Sequence, residues 1–216
     1  MTEIAIVRVG LDRLEQLVEF WKLLHRHQAS VAVVVPGLDV LSESASAEIV
    51  REMYRQWLTS ADPFAFIAED AGRPVGFVVG FYDEPHFMWA TGRVGHIDSF
   101  YVLPEMRGRG VGRLLMDAAY SEMRRAGAST VALEMVAGNE VARAFYERDG
   151  FTTTFVQMHR QLDVEASSRR RSARLLGGDD GAVAVIELGM CRAGAGGTPA
   201  TLPRAPRPPS AAVRRA

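Results

Sequence analysis

The chain has 216 residues, 48% of them apolar, with 25 basic and 26 acidic side chains, a composition that fits one well-buried soluble domain plus an appendage. Cys191 is the only cysteine, which excludes an intrachain disulfide framework and a cysteine-based zinc site, and no stretch reaches the roughly 18 apolar residues of a membrane span; a reducing, cytoplasmic setting is expected. Charge is unevenly placed: residues 1–165 hold 16 basic against 23 acidic side chains and residues 166–216 hold 9 against 3, which argues against a nucleic-acid-binding body and is compatible with a cationic ligand.

The first residues, Met1 to Ile4, lack the positive n-region and apolar core of a leader. Ile4 to Val9 reads as a strand, followed after Gly10 by a helix with Asp12 as N-cap and a buried stripe of Leu14, Leu17, Val18 and Trp21 that fades near His27. Val31 to Val35 has strand composition but is cut by Pro36-Gly37, and the serine-rich stretch beyond it caps a second helix with Ile49, Met53 and Trp57 on its face. Phe64 to Glu69 and Pro74 to Tyr82 form a hairpin about Asp70-Ala71-Gly72-Arg73, with Val75, Phe77, Val79 and Phe81 on one face. A loop, Asp83 to Gly92, leads to the strand Ile97 to Leu103. The next helix carries Val111, Leu115, Ala119, Met123 and Ala126 as its apolar stripe and stops at Gly127. Thr130 to Val136 is a strand, Asn139 to Arg148 a short helix, and Phe151 to Leu162 one or two closing strands. Beyond Val164 the pattern gives way to Ser-Arg repeats and glycine-, alanine- and proline-rich sequence, for which disorder is the expectation; only Ala182 to Leu188 has strand character.

The chemistry-bearing segment is Arg107-Gly108-Arg109-Gly110-Val111-Gly112, set between a strand and a helix. Its glycines let the backbone approach a ligand, the helix aims its first free amides at the same place, and Arg107 and Arg109 add charged donors, so the loop suits a phosphate. A P-loop is excluded because Lys22 is the only lysine, and the dinucleotide pattern fails because Arg113 stands where its third glycine belongs. What remains is Arg-x-x-Gly-x-Gly at Arg107, Gly110 and Gly112. It resembles the acyl-CoA loop of the GCN5-related N-acetyltransferases (GNAT). Asn139 to Phe151, an asparagine followed by a helix with Phe145-Tyr146 and ending in Gly150-Phe151, resembles the second motif of that family, in the family's order. The likeness spans residues 4–162 in architecture and is specific over 97–151.

The resemblance implies a single-domain α/β fold over residues 1–163, the acyl-CoA N-acyltransferase fold with a mixed, mostly antiparallel sheet flanked by helices, and a separate tail, 164–216. It implies acetyl-CoA as acyl donor, an amine acceptor that is a small molecule or a peptide, no metal, no membrane or nucleic-acid partner, and leaves room for a homodimer. Pantetheine would run along Phe100, Tyr101 and Val102, and the pyrophosphate would lie on the amides of Arg107, Gly108, Arg109, Gly110, Val111 and Gly112. Asn139 would cap its helix and hydrogen-bond the pantetheine arm. Tyr146 matches the family's tyrosine and is either the donor to the leaving thiolate or a residue packed under the cofactor. Asp98, read as sharing a strand face with His96, Phe100 and Val102, is a base acting through water, an amine-binding group, or a merely solvated carboxylate; His96 is a weaker candidate for base. His25 and His27 point to different sides of a helix and make no metal pair, and Arg169 to Arg174 reads as a solvated charge run. The alternatives are an acyl-CoA-binding regulatory domain without turnover and an interaction role for the basic tail.

Overall fold

The computed structural model describes residues 3–34, 41–60, 62–83 and 92–161, all of them in one compact unit within Met1–Asp180. The tail from 164 onward, Cys191, the Ala182 to Leu188 segment and the loop Glu84 to Ala90 lie outside the described residues. Five strands form one sheet in chain order, β1 (Ile4–Val9), β2 (Phe64–Asp70), β3 (Arg73–Asp83), β4 (Val94–Val102) and β5 (Thr130–Leu133). The first four are antiparallel neighbours and β5 runs parallel to β4, since an antiparallel step needs only a turn whereas the parallel step needs a crossover helix. The helices are α1 (Leu14–Val31), α2 (Glu43–Thr59), α3 (Val111–Arg125, the crossover) and α4 (Glu140–Arg148).

Two apolar layers sandwich the sheet. One joins Leu17, Val18 and Phe20 of α1 and Val50 and Tyr54 of α2 to Ile67, Phe77, Val79 and Tyr101. The other joins Val111, Leu115, Met116, Ala119 and Met123 of α3 to Phe64, Val75, Val78, Ile97 and Val102. The arrangement is the expected mixed α/β one, and the β2–β3 hairpin turns at Ala71 (φ 52°) and Gly72 (φ 78°) as its sequence requires.

Local departures have local causes. Asp12 accepts a hydrogen bond from the amide of Gly10 (3.2 Å) within a short 3₁₀ turn, so Arg13 rather than Asp12 precedes α1, which runs on to Val31. Ser42 caps α2 as anticipated; Met53 and Trp57 pack against the core beside the fully buried Ala47, Val50 and Tyr54, but Ile49 is exposed. Val75 leaves the face of Phe77 and Val79, because Glu69 pairs with Pro74 while Ala68 pairs with Gly76 and the residue between is bulged. Residues 151–161 hold no strand and are mostly exposed: Phe151 closes back on α4 by donating its amide to the Tyr146 carbonyl (3.0 Å).

Candidate active site

The site starts from a second bulge. Val79 pairs with Ser99 and Gly80 with Ile97, so Asp98 is the unpaired extra residue of β4. Parallel pairing with β5 ends one residue earlier, at Ile97 and Leu133, which is why β5 is shorter than the anticipated Thr130 to Val136. Beyond the bulge the two chains part, and a cleft of about 390 Å³ opens between Asp98 to Val102 on one side and Glu134 to Val136 on the other. The bulge also corrects the strand-face reading of Asp98. His96 stacks on Phe81 (5.0 Å between centroids) outside the cleft lining, while Phe100 and Val102 belong to the α3 layer.

The phosphate end is built by α3. Gly108 (φ 73°) and Gly110 (φ 82°) hold left-handed backbone, and a Cβ at either would meet no heavy atom within 4 Å, so the space above the loop is open. The amides of Val111, Gly112 and Arg113, in the first turn of α3, have no intrahelical acceptor and converge with the helix dipole on that space. These features fit a pyrophosphate. Gly112 is small for another reason: a Cβ there would lie 3.2 Å from Phe100 and 3.6 Å from Phe145. Arg107 lines the cleft, donates from Nε to the Val102 carbonyl (3.2 Å) and rests 5.4 Å from the Tyr101 ring. Arg109 is turned to the Met106 sulfur (3.1 Å) and the Val111 side chain is core, so neither of these two lines the cleft. Arg113 lines the cleft while paired with Asp117 (3.0 Å) and Asp149 (3.1 Å).

Asn139 accepts the amide of Ala142 (3.1 Å) and caps α4, and its Nδ2 lies 3.5 Å from Nε2 of His27. Tyr146 lines the cleft between Phe100 (6.3 Å), Phe145 (5.4 Å) and Phe151 (5.6 Å), and burial pushes its phenol up to about 12. Asp98 is open to the cleft yet crowded by protein, which raises its carboxyl above the ordinary value; the hydroxyls of Ser99 (Oγ to Oδ2, 2.8 Å) and Tyr54 oppose the rise and the Glu134 charge adds to it. Burial lowers the His96 imidazole, against smaller upward pulls from Asp83 and Glu134. Leu24, His27 and Gln28 of α1, together with Glu134, also line the cleft. Sequence reasoning missed these four. The i, i+3, i+4 spacing of the α1 trio continues its buried stripe, whereas nothing in sequence places Glu134 opposite Asp98.

Residues 36–151 match the acetyltransferase (GNAT) family. The chain belongs to the GNAT family. It is 34% identical over 111 residues to N-alpha-acetyltransferase 30 of Schizosaccharomyces pombe, covering 51% of this chain and 69% of that protein. Its fold is that of a GCN5-related N-acetyltransferase from Ralstonia eutropha (TM-score 0.60, 23% identity, 74% of this chain and 99% of that one). An aminoglycoside N-acetyltransferase solved in complex with CoA is also similar (TM-score 0.58, 20% identity, 74% and 96%). The GNAT fold expected from the two motifs is therefore present, and the protein is an acyl-CoA-dependent N-acetyltransferase.

Proposed function

We propose that the protein transfers the acetyl group of acetyl-CoA to a primary amine by direct attack within a ternary complex. The observation that carries this reading is the single cleft that brings Asp98, Tyr146, Asn139 and the Arg107 to Gly112 loop to one place. Acetyl-CoA supplies the thioester. Its pyrophosphate fits the amides of the loop, and its amide-bearing arm fits the edge of Phe100 to Val102 that β5 no longer covers, where the Val102 carbonyl already accepts from Arg107. The acceptor enters from the α1 side, past His27 and Gln28.

The amine nitrogen attacks the thioester carbonyl carbon, and the new ammonium gives its proton to Asp98 through water. A carboxyl raised by crowding is a better proton acceptor than an ordinary aspartate. On collapse the C–S bond breaks and the thiolate takes a proton from Tyr146, whose phenol is held neutral by burial. The relatives named as N-alpha- and aminoglycoside acetyltransferases act on different amines, so the amine is the common chemistry. A cytoplasmic setting goes with the single cysteine.

Incubation with acetyl-CoA and a panel comprising free α-amino peptides, Nα-blocked lysine peptides, spermidine and kanamycin, read by CoA thiol release, tests the reading. One or more amines should be acetylated with thiol release matching product. CoA binding by calorimetry with no acetyl transfer to any amine would make the protein an acyl-CoA-binding regulatory domain instead.

A further inference from the structure

Tyr54 lies in α2, fully buried, with its ring tilted against Trp57 at 6.1 Å. No partner meets full hydrogen-bond geometry at its hydroxyl, and the polar groups that act on it are the Ser99 hydroxyl and the Asp98 carboxylate at the β4 bulge. A phenylalanine would fill the same space. A buried hydroxyl without a partner is a cost to folding, and retention of one beside a reacting group signals a use for it. Ser99 is 3% exposed and donates to Oδ2 of Asp98, which leaves Oδ1 without that support.

We propose that Tyr54 is a positioning residue for Asp98: its buried hydroxyl and that of Ser99 together hold the bulged carboxylate toward the acceptor nitrogen. The inference rests on the reading of Asp98 as proton acceptor. A bulged residue has lost the ladder hydrogen bonds that fix its neighbours, so its side chain needs an external anchor, and α2 is the element that packs against the sheet at this level. Burial keeps the Tyr54 phenol protonated well above the ordinary range, so it acts as a donor throughout the pH range of an assay. Glu134, past the end of β5, also acts on Asp98 and raises it, while His27 of α1, Tyr146 of α4, Arg107 and Arg113 line the same cleft. Tyr54 reaches it from the core side and Ser99 from its own strand.

The test is the titration of Asp98 in the full chain labelled with ¹³C-carboxyl aspartate, its signal assigned by loss in Asp98→Asn. Tyr54→Phe should move the Asp98 midpoint up by about half a pH unit or more, because a donor to the charged form is removed. Its melting temperature should stay within a few degrees, because no hydrogen bond of full geometry is lost. In the acetyl-CoA assay kcat should drop about fivefold or more with KM for acetyl-CoA unchanged. An unmoved midpoint overturns the inference, as does a variant that melts low or fails to fold, which would make the hydroxyl a contact of the core. Asp98→Asn in the same assay tests the underlying reading: wild-type kcat there removes the base role, whereas lost kcat with an unmoved midpoint in Tyr54→Phe removes only the role of Tyr54.

Discussion

Gly110 and Gly112 stand two apart in one loop, and substitution should harm them in different ways. At Gly110 a side chain meets open space but must adopt φ 82°, at about 1–2 kcal/mol, and it projects where the pyrophosphate fits. Gly110→Val should therefore lose CoA affinity at least tenfold in calorimetric titration while the melt falls by only about 2–8 °C. Gly112→Val should lose stability as well, since its Cβ presses on Phe100. Tyr146→Phe should lower kcat roughly tenfold to a thousandfold with CoA affinity kept; equal rates would reduce Tyr146 to packing. With its phenol near 12, Tyr146 stays protonated, so kcat should show no alkaline fall up to about pH 10. For Asp98 the sign is the reverse of the usual carboxylate. The folded state raises it, so stability from its protonated form is full below the unfolded value of 3.8 and is lost as pH rises through the folded one. Asp98→Asn should then melt no lower than wild type at neutral pH while losing turnover, and wild-type kcat/KM should rise on an acid limb with a midpoint above 3.8. The residues legible in sequence, Arg107, Gly108, Gly110, Asn139 and Tyr146, belong to contiguous loops and caps whose geometry is local. Tyr54, His27 and Glu134 were not, because only tertiary packing brings them together.

At the scale of elements, helices and the hairpin followed from periodicity and turn chemistry, and the failures fall at bulges. A period of two predicts faces only while the ladder is unbroken. The extra residue at Val75, flanked by Pro74 and Gly76, and the one at Asp98, with no glycine or proline beside it, each reverse the alternation. What pins the second bulge is the neighbouring strand: a Cβ on Gly80 would lie 2.4 Å from the Phe64 ring and 2.6 Å from the His96 carbonyl. Gly80→Ala should destabilise the fold by about 1–3 kcal/mol and lower turnover more than stability predicts, since β3 and β4 must separate where Asp98 is aimed. Thermal melts paired with kcat measurements distinguish this from simple core damage. The closing strands anticipated after Phe151 had strand composition, but residues 151–161 form no strand, and β-propensity alone does not make one.

For the whole molecule, composition divides an acidic body from a basic tail, and the division is itself testable. A chain ending at Asp163 should keep its melting temperature within a few degrees and its acetyl-CoA turnover within about twofold; loss of either would place part of 164–216 in the working enzyme. The parting of β4 and β5 has a thermodynamic side. A sheet that ends its own ladder at Ile97 and Leu133 leaves the outer edge of Phe100 to Val102 for another backbone to join, apart from the Val102 carbonyl that Arg107 holds, and an arm carrying amides is chemically a short strand. Ligand and fold are then linked. Saturating CoA at about a hundred times Kd should stabilise the protein by about 2.7 kcal/mol, and the amides of residues 98–102 and of 134–136 should exchange with deuterium more slowly than in the free protein, so that the donor substrate acts as a removable sixth strand.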